Sequence, residues 1–190
     1  MRRTALLLCS AALAACASGP SGPCESPFAG SPQFDRTRCR FVNTGMEETK
    51  PNTGPVALWW KILTGKPDTT VPKDPLPVRD LDRAALDALD PAAVHVIRLG
   101  HSSHLLKLRG RYWLVDPVFA ERASPFSFAG PRRFHRSPLP LSAVPPVDGL
   151  VLSHDHYDHL DVETIRGLVD RVERYFVPLG VKARLTAQGV

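Results

Sequence analysis

The chain has 190 residues, 43% of them apolar and 23% charged, the balance of one soluble domain with an ordinary core. Its formal charge of +5 is a weak excess that suits an anionic membrane surface. Without basic residues clustered on one face, it excludes nucleic acid as a partner.

Residues 1–15 (MRRTALLLCSAALAA) join a basic start, an apolar centre and small residues, the anatomy of an export signal. The apolar part is shorter than the ~20 residues a spanning helix needs. Leu13-Ala14-Ala15-Cys16 is similar to a bacterial lipobox, with cleavage before Cys16 and lipidation of that cysteine. Ordinary cleavage after Ala14, leaving no lipid, is the alternative. Ala17 then implies the outer membrane, so the expected location is the bacterial envelope, lipid-anchored and facing the periplasm. Residues 16–55, rich in Gly, Pro, Ser and Thr, read as a tether and an irregular arm. There Cys24 and Cys39 either pair, which stabilises by ~3 kcal/mol in the chain-entropy model, or remain free thiols.

Residues 56–92 read as short helices and a proline-rich linker. Val56 to Leu63 (VALWWKIL) suggests a short helix whose tryptophans lie on the core or in a membrane interface. Leu81 to Leu89 fits a brief helix stopped before Pro91. From residue 93 the pattern becomes one of strands: Val94 to Ile97, Leu105 to Leu108 and Tyr112 to Val115, with Arg109-Gly110-Arg111 as the turn between the last two. Phe119 to Arg136 is an aperiodic loop carrying Phe119, Phe126, Phe128 and Phe134. It is either the wall of an acyl-chain groove rimmed by Arg132, Arg133 and Arg136, or a cover for the sheet.

Gly149 to Ser153 is a short apolar run of the kind that makes a buried strand, and SHDHYDHLD (Ser153 to Asp161) follows it. Residues two apart in an extended segment point the same way, so His154 and His156 can present both imidazoles to one ion. Asp158 and His159 can hold a second. Zinc accepts imidazole and carboxylate, and two ions ~3.5–4 Å apart can share and acidify a water, so the implied chemistry is hydrolysis. A polar loop capping the next helix is the bland alternative. Asp161 then reads as an N-cap, and Ile165, Leu168, Val169 and Val172 predict a helix of about three turns. Tyr175 to Pro178 is the next strand, in the βαβ manner.

The H-x-H-x-D-H loop resembles that of the metallo-beta-lactamase superfamily. Gly100 to Phe134 (GHSSHLLKLRGRYWLVDPVFAERASPFSFAGPRRF), SHDHYDHLD and Phe176 to Gly180 (FVPLG) are similar to the branch containing N-acyl-phosphatidylethanolamine phospholipase D and its bacterial relatives. The resemblance implies an α/β fold, the αββα sandwich of two similar halves, with residues 93–190 as the amino-terminal half. It implies two zinc ions, with His154, His156, Asp158 and His159 as ligands and Asp158 and His159 closest to catalysis. It further implies that His101 and Asp116 orient those ligands without binding metal, although each also fits a plain turn or strand-end residue. Tyr157 is expected to touch substrate. His104 and His135 have no spacing argument and are expected on the surface or in packing.

The expected reaction is hydrolysis of a phosphodiester in N-acyl phosphatidylethanolamine or a related phospholipid. The alternatives are a lactone or cyclic-phosphate hydrolase of the same superfamily and a non-catalytic envelope lipoprotein. No histidine follows His159. The resembling enzymes take further ligands downstream, so the expectation is an amino-terminal half that binds metal weakly, turns over little, and leaves one sheet face open.

Overall fold

The computed structural model describes residues 25–43, 54, 56–57, 60, 70–124, 128 and 130–190. The export signal, Cys16, Cys24, Phe126 and most of the VALWWKIL stretch lie outside the described residues. Two units are present, Met1–Pro55 and Val56–Val190. Among the described residues, no helix is long and apolar enough to cross a membrane.

In the first unit, β1 (Phe34–Asp35) and β2 (Arg40–Phe41) form a small antiparallel hairpin. The Asp35 carboxylate accepts the Thr37 and Arg38 N–H groups and closes the turn. Phe41 packs its ring on Phe28 and Phe34, with centroids 5.5 and 5.2 Å away. Cys39 is disulfide-bonded.

In the second unit, α1 (Arg83–Asp87) starts where the Asp82 side chain accepts the Ala85 N–H. A five-stranded sheet follows, built from β3 (His95–Gly100), β4 (Ser103–Leu108), β5 (Arg111–Val115), β6 (Gly149–Val151) and β7 (Tyr175–Phe176). The strands lie in that order, antiparallel from β3 to β5 and parallel from β5 to β7. Between β4 and β5 the chain turns on Arg109 and Gly110, both at positive φ (50° and 76°), as a two-residue loop of the right twist requires. Arg111, expected in that turn, is the first residue of β5. Val94 stays outside β3 and is exposed.

The register aligns Ile97, Leu105, Leu114, Leu150 and Tyr175 in one row across all five strands. That row belongs to the core, together with Leu86 of α1, Ile165 of α2 (Val162–Arg166) and Val181 and Leu185 of α3 (Val181–Thr186). Lys107 is buried beside it, donating to the Leu86 and Leu89 carbonyls at 3.1 and 2.8 Å and so closing the end of α1. The opposite sheet face carries Val96, Leu106, Trp113 and Gly149 in register. Trp113 and Phe176 meet there across Gly149, ring centroids 5.6 Å apart. This mixed sheet with helices is the α/β architecture the sequence resemblance implies.

The three-turn helix expected after Asp161 is a correction. α2 stops at its C-cap Gly167, and the chain continues as a 3-10 turn over Val169–Arg171. Leu168 still reaches the core, but Val169 is exposed, so the apolar spacing served two short elements instead of one helix stripe.

Candidate metal centre

β5 and β6 run in parallel and end side by side, and the residues that leave their carboxyl ends build the site. Asp116, directly after β5, is buried with φ at +43°. Its N–H donates to the Val151 carbonyl. Its carboxylate accepts three bonds: from the Ser153 N–H (2.7 Å), the Ser153 hydroxyl (2.7 Å) and His159 Nδ1 (2.9 Å). Burial alone would raise this carboxyl, but those bonds hold it below the ordinary carboxylate range. Ser103, buried at the start of β4, secures the corner by donating to the Asp116 carbonyl while accepting the Val118 N–H.

The network orients the rings. His159 Nδ1 donates to the Asp116 carboxylate, so Nε2 is the ring nitrogen turned toward Asp158. The Ser153 hydroxyl spends its hydrogen on Asp116, so His154 Nδ1, 2.9 Å away, donates to Ser153 Oγ and its Nε2 is left to face the cluster. A carboxylate behind an imidazole is the usual way a protein orients a metal ligand. Ser153, which the sequence reading passed over, is the hub that ties Asp116 to two histidines. Its only signal is a small polar residue between a buried strand and the first histidine.

Asp158 occupies the centre. His101 Nε2 donates to Asp158 Oδ2 at 3.0 Å, and His159 Nε2 lies 3.6 Å from the same oxygen. Burial would raise the Asp158 carboxyl, yet its own backbone N–H, the His159 ring and the His101 bond keep it low. Two sets of three ligand atoms result, each within 4.8 Å of one another: His101, Asp158 and His159, and His154, His156 and Asp158. Asp158 belongs to both. The donor set of imidazoles and carboxylate suits zinc or a comparable transition ion, so these residues fit a metal. His154 packs against both other loop histidines, centroids 4.6 Å from His156 and 3.9 Å from His159.

The chain thus brings together all four residues expected as ligands, with Asp116 behind His159. His101, expected to orient ligands, reaches Asp158 itself and stands within one ligand set. It projects from a corner where Gly100 and His101 have φ of 140° and 41°. Arg133 braces this corner, donating to the Leu99 carbonyl at 2.8 Å and the Phe119 carbonyl at 3.3 Å. Asp161 caps α2 by accepting the Thr164 N–H and hydroxyl, and also accepts the Phe119 and Ala120 N–H groups, pinning the loop after β5.

A cleft of ≈ 360 Å³ opens beside the cluster, with His101 and Asp158 in its wall, Arg98 and Arg132 at its edge and Val118 and Phe134 on its apolar side. A larger cleft of ≈ 750 Å³ lies beyond Arg133, bounded by Phe119, Leu141 and Asp161. Of the expected arginine rim, Arg136 pairs with Asp80, Arg132 with Glu121, and Arg133 is spent on backbone carbonyls. Tyr157 is exposed and lines neither cleft. His104 Nδ1 donates to the Ser102 carbonyl and His135 Nδ1 to that of Arg136, outside both ligand sets.

Residues 111–190 match the beta-lactamase superfamily domain, a match that begins at β5 and includes the whole ligand loop. This segment belongs to that superfamily. Among similar proteins, an uncharacterized protein of Mycobacterium tuberculosis is 47% identical over 102 residues, 53% of this chain and 27% of the relative. The N-acyl-phosphatidylethanolamine-hydrolyzing phospholipase D 1 of Caenorhabditis elegans is 38% identical over 125 residues, 65% of this chain and 35% of the relative. The chain therefore spans about a quarter to a third of the length of these relatives. Among solved structures, an isothiocyanate hydrolase from Delia radicum gut bacteria aligns with a TM-score of 0.41 at 26% identity, over 50% of this chain and 38% of that one. CmlA, a diiron beta-hydroxylase from Streptomyces venezuelae, aligns with a TM-score of 0.34 at 28% identity, over 58% and 17%. For this beta-lactamase superfamily segment, the histidines and carboxylates described above are the candidate metal-binding groups.

Proposed function

We propose that this beta-lactamase superfamily protein is a zinc-dependent hydrolase of phosphodiesters in N-acyl-phosphatidylethanolamine-like phospholipids. The observation that carries the reading is Asp158, one carboxylate shared by two sets of histidines at the ends of parallel strands. The named activity of the nematode relative supports the substrate class. So does a cleft that sets arginines and an apolar wall beside the ligands.

His154, His156 and Asp158 would hold one ion, and Asp158 and His159 the other, with His101 orienting Asp158 through its bond to Oδ2. Bound zinc lowers the pKa of a water toward ~7 and polarises the phosphoryl oxygens. The protein's part is orientation. Asp116 and Ser153 engage Nδ1 of His159 and His154 and so leave Nε2 to face the cluster, and Asp158 remains a carboxylate able to accept a hydrogen from the attacking water. Arg98 offers charge to the phosphate, while Val118 and Phe134 exclude water from an acyl chain. Water attacks phosphorus, the bond to the N-acylethanolamine oxygen breaks, that oxygen takes the proton, and phosphatidic acid is released. We also place the chain at the outer membrane through lipid on Cys16; loss of labelled palmitate in Cys16→Ala tests that placement.

Zinc-loaded full chain should release phosphatidic acid from N-acyl phosphatidylethanolamine vesicles at the low rate expected of an amino-terminal half, and chelator or His156→Ala should abolish the release. Turnover of lactones or cyclic phosphates in preference to the phospholipid would replace the substrate. No turnover in any arm, with a binding partner retained by His156→Ala, would make the protein a scaffold.

A further inference from the structure

We propose that Arg184 is a positioning residue for the metal loop, acting through Asp155, the spacer between His154 and His156. The inference rests on the metal reading above and deepens it. Each of the other loop ligands has a hydrogen bond that fixes its side chain: His154 to Ser153, His159 to Asp116, and Asp158 from His101. Among the described residues the His156 ring has none, and it is exposed. Its direction therefore depends on the backbone on either side of it.

That backbone is held from α3. Asp155, between His154 and His156, belongs to neither ligand set and its carboxylate is bonded elsewhere. There Arg184 Nη1 donates to Asp155 Oδ2 at 2.5 Å. Arg184 sits in the last turn of α3, a helix anchored by buried Val181 and Leu185. The same region grips the element after the loop: Arg166 of α2 donates Nε to the Gln188 carbonyl and Nη2 to Gln188 Oε1, both at 2.8 Å. Within the loop, the backbone is also held by the local bonds from the His159 and Leu160 N–H groups to the His156 carbonyl and by the Ser102 hydroxyl, which donates to the Asp158 carbonyl at 3.3 Å. Arg184 and Asp155 are half-exposed, so the pair's own attraction is modest and screened by salt. Its effect is on geometry.

The test measures zinc affinity of the full chain by competition with a chromophoric chelator, together with amide hydrogen exchange of the metal-free protein over residues 153–160. Arg184→Met and Asp155→Asn should each weaken zinc by about three- to tenfold, below the range for groups that touch a ligand directly. Each should also speed exchange at His159 and Leu160. The exchanged pair, Asp155→Arg with Arg184→Asp, should recover affinity to within about twofold, a rescue that general destabilisation would not produce. If Arg184→Met does not fold, Asp155→Asn on the exposed loop carries the test. Single variants that bind zinc as tightly as the parent, or an exchanged pair no better than the singles, overturn the proposal. A parent chain that binds no zinc overturns the metal reading, and this inference with it.

Discussion

Replacing Asp116 with Asn tests the site at the point where sequence, fold and chemistry meet. The substitution preserves size, and one amide oxygen can still accept the Ser153 N–H. The amide nitrogen then faces His159 Nδ1, now 2.9 Å from a carboxylate oxygen. Two donors oppose each other, and the imidazole escapes by moving its proton to Nε2, which removes the lone pair presented to the cluster. Two charge-assisted bonds to that oxygen are lost, from His159 Nδ1 and the Ser153 hydroxyl, each worth about 1.5–3 kcal/mol, and loss of a group that orients a ligand typically weakens metal by ~10–100-fold. Zinc competition on parent and variant gives the affinity, nitrogen chemical shifts of the His159 ring give the tautomer, and chemical denaturation gives the stability. Parent-like zinc affinity in Asp116→Asn, with His159 still protonated on Nδ1, would refute the reasoning.

Gly149→Ala places a methyl 2.5 Å from Trp113 Cε3 and 3.1 Å from the Phe176 ring. Forcing that ring pair aside should cost about 1–3 kcal/mol in a denaturant titration and shift tryptophan fluorescence; unchanged values for both would contradict the packing described. Gly100→Ala meets Arg133 Nη2 at 2.5 Å in a backbone conformation with φ of 140°. It should release Arg133 from Leu99, weaken zinc binding by freeing His101, and be mimicked by Arg133→Met; parent-like metal affinity in both variants would contradict the brace. Lys107→Met should destabilise by roughly 1–3 kcal/mol, since the Leu86 and Leu89 carbonyls lose a buried donor, and a neutral result by denaturation would show that other groups satisfy them.

The meander, the crossover and the ligand strand were legible because each depends on neighbours in sequence. Alternation across β3 to β5, a glycine-centred turn between β4 and β5 and a ligand-rich strand end are local signals. The end of α2 was not, because Gly167 stops the helix while apolar residues continue at helical spacing into a 3-10 turn. Nor could composition reveal that Asp161 both caps α2 and fastens Phe119 and Ala120, which stand some forty positions earlier. The arginines show the same limit. As a cluster after Pro131 they read as a rim for phosphate, yet the fold commits Arg133 to strand-end carbonyls and Arg136 to Asp80. His101 was placed at the right corner, but only three-dimensional proximity brings it onto Asp158.

Since the Asp158 carboxylate is common to both candidate ligand sets, a metal held by one set would change what the other has to offer. An ion that draws the carboxylate toward His154 and His156 changes what His101 and His159 have left to offer. Metal uptake by this chain should accordingly proceed in two unequal steps, and the second dissociation constant becomes a direct gauge of how evenly one side chain can be divided.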